Sequence, residues 1–308
     1  MTRILPLALA LALVRPQAPP DTEIYLATLT NDAGKLSLGT PVDVTNSPGY
    51  DNQPSFTPDG AAILFTSVRG VSAPARGRGA AAGTDIYKYT FASKEIARLT
   101  DTPESEYSPT VMPDGRHLSV IRVEADGTQR LWSFGLDGKE PAVLLPDIKP
   151  VGYHAWIDQY TVALFVLGEP PTLRVADVRT GKSEVVASGI GRSLQRSPSG
   201  SVSFIRIAQS AAGPVVTLEE LLKDRQSDGR MRGTTALVPL VPGAADPFIA
   251  WLPDGTAIVA HGGTLYAWRK GDSSWRGTVD LAALGLSNVS RLAVSPKGDR
   301  LALVANPR

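Results

Sequence analysis

The hydrophobic positions of this chain fall in short β-prone runs, punctuated at intervals by turn residues. In residues 53–67, QPSFTPDGAAILFTS, two such runs flank Pro58-Asp59-Gly60. Close copies occupy 109–121 (PTVMPDGRHLSVI) and 248–260 (FIAWLPDGTAIVA). Looser copies occupy 194–205 and 292–304, and 154–165 keeps the strands while losing the Pro and Gly. Pro58 and Pro113 stand 55 residues apart, Pro113 and Pro198 85 with the degenerate copy between, Pro198 and Pro253 55, and Pro253 and Pro296 43. The spacing predicts six units in one series.

Each hairpin is followed by a second apolar pair, often opened by Thr before an apolar-aromatic step, as in Thr84-Asp85-Ile86-Tyr87 and Thr264-Leu265-Tyr266. Four strands in a unit of this length predict a propeller blade. A lone four-stranded meander leaves both faces bare, so blades stack around an axis and bury one another. In the repeated turn, Pro presets φ at the first corner, Asp tolerates the bridge region, and Gly takes the left-handed position. The motif is therefore a turn and carries no chemistry. Residues 23–46 read as an outer pair lacking its inner hairpin, and 289–305 as an inner hairpin lacking its outer pair. The two halves predict one blade closed by the termini, which removes exposed sheet edges. The expected fold is all-β: a six-bladed β-propeller of four-stranded antiparallel blades.

The strings SFTPDGAAILF, AWLPDGTAIV and AVSPKGDRLAL resemble the PD40 (WD40-like) repeats of the TolB family, and the resemblance covers 22–306. It implies a propeller that binds another protein of the bacterial envelope. TolB itself carries an α/β domain before its propeller, whereas here the first blade strand is expected within a few residues of the start of the mature chain. Similar propellers precede the hydrolase domain of prolyl-oligopeptidase-like peptidases, and the resemblance leaves no residues for such a domain.

Ahead of the repeats, Ile4 to Val14 (ILPLALALALV) follows Arg3 as an uninterrupted apolar run, about half the roughly 20 residues a spanning helix needs. It reads as a secretory signal over 1–20, with the propeller at 21–308 in the periplasm or secreted, without a membrane span. There is no cysteine, which excludes disulfides, thiolate chemistry and Cys-held metals. The formal charge of +1 becomes −1 once Arg3 and Arg15 leave with the signal, 29 basic against 30 acidic residues, and nothing in this balance suggests nucleic acid. A monomer without cofactor is expected.

Candidate chemistry is sparse. No G-x-S-x-G elbow and no phosphate loop with Gly-Lys-Ser/Thr occurs. Seven residues before the turn Pro, three copies carry Asp51, Glu106 and Asp246, while two others carry Gly191 and Val289. These carboxylates are expected around one channel mouth, either ordering their loops through backbone N–H groups or forming a cation or basic-partner site. Tyr50, Tyr107, Tyr153 and Phe248 flank the same loops, as rim packing or as a recognition surface. His154 is expected on an innermost strand facing the channel, as a ligand or an acid/base group; His117 and His261 are expected at strand ends. The irregular stretch 68–83 carries Arg69, Arg76 and Arg78 on the same face, expected to form exposed, exchangeable ion pairs with the carboxylates. The leading functional reading is a non-enzymatic envelope binding module. The alternatives are an enzyme acting on a saccharide or peptide in the channel, and a ligand-binding sensor.

Overall fold

A computed structural model of the chain describes residues 19–32, 35–70, 83–211, 213–224, 229, 231 and 233–308. The apolar run 4–14, and Arg76 and Arg78, lie outside these residues. Five four-stranded antiparallel sheets follow one another along the chain, and a sixth is assembled from both ends. Blade 1 shows the pattern: an inner strand Asp51–Phe56, then Ala62–Ser67, Asp85–Thr90 and an outer strand Glu95–Arg98. The other inner strands are Ser105–Val111, Val151–Trp156, Ile190–Arg196, Ile249–Trp251 and Arg291–Val294. In the sixth blade, Glu23–Asp32 pairs with Arg300–Ala305, in register from Glu23 opposite Ala305 to Thr28 opposite Arg300. Its inner strand, Arg291–Val294, packs on that of blade 1, so the ring closes as the half-blade phase predicts.

The repeated hairpin owes its geometry to its turn. Gly115 has φ +67° and donates its N–H to the Met112 carbonyl at 2.9 Å, the four-residue turn with a left-handed closing glycine. Asp114 Oδ1 accepts from the N–H groups of Arg116 and His117 at 2.8 and 3.1 Å, fixing the start of the next strand. Gly60 and Gly255 likewise have positive φ.

Second strands such as AILFTS and TVALFV are mostly apolar and buried along their whole length, because both of their faces are covered. The core is accordingly divided into six slabs, one between each pair of neighbouring blades. Alternation decides which slab a residue joins. Ala302 and Val304 pack against Ile63 and Phe65 of blade 1, while Leu301, Leu303 and Ala305 pack against Ile258 and Leu265 of blade 5.

Candidate functional site at the channel mouth

The loops entering the inner strands emerge on one face, together with the connections between second and third strands. On that face opens a cavity of about 490 Å³ lined by side chains from five blades: Tyr50, Tyr153, Arg192, Phe248 and Arg291, with Asp246 and His261 beside them. Tyr107 of blade 2, expected at the same mouth, is not among the residues that line this cavity. Burial drives the Tyr50 phenol up to about 12 despite the opposing fields of Arg291 and Arg192.

The collar is built by ring contacts. Tyr153 meets Phe165 and Phe248 edge to face, with centroids 5.8 and 5.7 Å apart. The Arg291 guanidinium carbon lies 3.7 Å from the Phe248 centroid and 5.2 Å from that of Tyr153, and its Nη2 donates to the Tyr153 hydroxyl at 2.9 Å. Arg192 Nε donates to Asp246 Oδ2 at 2.6 Å, and its backbone N–H to Oδ1 at 3.0 Å. Burial opposes its charge, yet the Asp246 carboxylate holds Arg192 above the usual range.

Each predicted carboxylate is taken up by its own arginine. Asp51, 2% exposed, accepts from Arg69 Nη2 at 2.7 Å. Glu106 is fully buried, accepts from the Thr102 hydroxyl at 2.6 Å and lies 3.3 Å from Arg122 Nε. Arg122 in turn stacks on Trp132 with its carbon 4.7 Å from the ring centroid, and pairs with Glu104. Asp246 fills the place its neighbour leaves: a Cβ on Gly191 would lie 2.2 Å from Asp246 Oδ1, so glycine at that repeat position admits the carboxylate of the next blade. Among the described residues, no group of three or more His, Asp and Glu side chains is disposed to hold a metal ion.

Two expectations need correction. Arg69 is no exposed, exchangeable cation: its side chain is 16% exposed, donates also to Ser67 Oγ and the Thr45 carbonyl, and lies over the rings of Phe65 and Tyr87. Desolvating Asp51 requires a fixed partner, and the end of the second strand supplies it. His154 is on an inner strand but faces away from the channel. Its Nε2 is 2.7 Å from Ser119 Oγ of blade 2, which also accepts the Trp156 indole N–H at 2.9 Å, and burial pushes the imidazole down to about 4. Neighbouring side chains point to opposite faces of the strand, Tyr153 toward blade 4 and the mouth, His154 toward blade 2. His117 caps its own turn through Asp114. His261, expected only at a strand end, lines the mouth, as do Arg192 and Arg291, which the repeat alignment did not single out.

No family model matches the chain, and no curated protein matches it in sequence. Among solved structures, a TolB-type protein of Agrobacterium tumefaciens superposes with a TM-score of 0.65 at 15% identity, over 94% of this chain and 99% of that one. TolB of Acinetobacter baumannii gives 0.56 at 14% identity, over 94% of this chain and 65% of that one, so this chain spans just under two thirds of it. A gluconolactonase of Xanthomonas campestris gives 0.57 at 11% identity, over 96% and 99%. At such identities the likeness is one of architecture, and the chain carries the propeller fold of the TolB proteins.

Proposed function

We propose that this chain is a non-enzymatic binding propeller of the bacterial envelope, exported by its apolar leader, whose loop-bearing face engages another envelope protein. The observation that carries this reading is the collar itself. Rigid aromatic rings and two arginines around a cavity are the anchors that protein interfaces concentrate, and strands committed to blade packing leave binding to the loops at the mouth. The TolB likeness agrees with a partner-binding role, and the uninterrupted run at 4–14 agrees with export. The test is affinity capture from envelope extract with wild type, the double variant Arg192→Ala/Phe248→Ala and the outer-blade control Arg179→Ala. Loss of captured partner in the collar variant alone supports the proposal, and equal capture by all three refutes it.

A second reading, an enzyme acting on a saccharide or peptide in the channel, draws on the cavity volume, which suits a small ligand, and on the shared fold of the gluconolactonase. Turnover of a lactone or oligosaccharide, lost on altering the collar, would favour it.

A further inference from the structure

We propose that the collar is a carboxylate-binding site anchored by Arg291, taking a carboxylate borne next to an apolar or aromatic group. This deepens the binding role proposed above and rests on it. Arg291 pairs with no carboxylate among the described residues; its contacts are the Tyr153 hydroxyl and the faces of Phe248 and Tyr153. A guanidinium held over the Phe248 ring and tied to the Tyr153 hydroxyl presents a planar fork of N–H donors, of which Tyr153 occupies part. Arg291 itself lines the cavity. A carboxylate matches such a fork with two parallel bonds, and the fork is already immobilised, so little freedom is lost on binding.

The surroundings narrow the ligand further. Asp246 does not repel an incoming anion on its own account, because Arg192 neutralises it at 2.6 Å. The mouth therefore holds one uncompensated positive charge, which suits a monoanion better than a phosphate dianion. Tyr50, whose hydroxyl has no hydrogen-bond partner among the described residues, lines the same cavity and is the second donor proposed for the anion. The rings of Phe248 and Tyr153 offer apolar faces beside the charge, for the group that carries the carboxylate. Such a carboxylate has two sources, a free organic acid or the acidic terminus of a protein partner.

The experiment titrates the full chain calorimetrically with 3-phenylpropanoate, its amide, inorganic phosphate, and the peptide Ala-Ala-Ala-Phe as free acid and as C-terminal amide. Both acids should bind and both amides should bind at least about tenfold more weakly, the loss expected when a charge-assisted pair is removed. Tighter binding of the peptide acid than of phenylpropanoate assigns the site to a chain terminus, and the reverse to a free acid. Arg291→Gln should abolish the acid preference, Arg291→Lys should restore part of it, and Arg179→Gln should leave it unchanged. Tyr50→Phe, which keeps the ring and removes only the hydroxyl, should weaken the acids several-fold and not the amides, and it serves should the Arg291 variants fail to fold. No binding by either acid at about 10 mM, equal binding of acid and amide, or phosphate binding as tightly as the acids would overturn the proposal. If envelope partners are still captured through the collar in that event, the binding role stands and only its carboxylate chemistry falls. If acids bind as described and no partner is captured, the reverse holds.

Discussion

The Tyr25 hydroxyl donates to the Asn306 carbonyl at 3.3 Å across 281 positions of sequence, and the guanidinium of Arg308 lies over the same ring. The two ends of the chain thus meet in one blade, and the six slabs of core form a closed circle with no terminal face. Deleting residues 289–308 removes the strands Arg291–Val294 and Arg300–Ala305 and uncovers the slabs on either side. The expected outcome is loss of the cooperative thermal transition for the whole propeller. A truncated protein that melts like the full chain would show that the ring does not depend on closure.

Two turn glycines separate backbone strain from collision. A Cβ at Gly115 would touch nothing within 4 Å, so Gly115→Ala carries only the cost of φ +67°, about 1 kcal/mol. At Gly138, φ +77°, a Cβ would fall 1.8 Å from the Leu99 carbonyl oxygen of the neighbouring blade, and the backbone must move. Gly138→Ala should therefore cost several times as much, roughly 3 kcal/mol or more, in urea unfolding. Equal costs would contradict this packing.

Arg69→Ser should destabilise the protein by about 3 kcal/mol, the low end of the loss caused by removing one member of a buried pair. It strands the Asp51 carboxylate, which is 2% exposed, and strips a cation from two rings. The double variant Arg69→Met/Asp51→Asn should recover part of the loss, since no charge is then left buried. Denaturant midpoints of the three proteins check this, and a fully stable Arg69→Ser would refute it.

Glu106 and His154 impose opposite pH dependences. Burial raises the Glu106 carboxyl to about 7 from an ordinary 4.5, although Thr102 and Arg122 pull it down. Between those values the folded chain keeps a proton that the unfolded chain releases, so stability falls as pH rises through the window. Burial lowers His154 to about 4 from 6.5, so the unfolded chain takes up a proton that the fold excludes, and stability is lost as pH falls from 6.5 toward 4. Each limb amounts to about 1–3 kcal/mol. Glu106→Gln should leave stability climbing more steeply with pH between about 4.5 and 6.5 than in wild type, and His154→Gln should make it climb less or decline. Chemical denaturation across that range measures the slopes. Parallel profiles for all three proteins would show that neither group titrates as its burial dictates.

The blade repeat, its turns, the number of blades and the closing of the ring are legible in the chain because each rests on local chemistry. A two-residue side-chain period marks a strand, Pro-Asp-Gly marks a hairpin, and complementary half-units at the two ends mark a closed circle. Asp51, Glu106 and Asp246 are legible as a set for the same reason, since they hold one repeat position. Their roles were not, because the arginine that each takes comes from another strand or another blade. The aromatic residues of the collar were legible beside the same loops, whereas its arginines and the contacts that join them belong to the tertiary structure. The inner strands of the first four blades change register beside the mouth, between Asn52 and Ser55, Tyr107 and Thr110, Val151 and Tyr153, and Ile190 and Leu194. Gln53 and Ser108 adopt φ +57° and +54° at the first two of these shifts. Each irregularity re-aims a side chain, so simple alternation no longer says which residue reaches the axis. Arg291 and Phe248, 43 positions apart, meet there because six inner strands converge on one channel, a condition that exists only once the ring has closed.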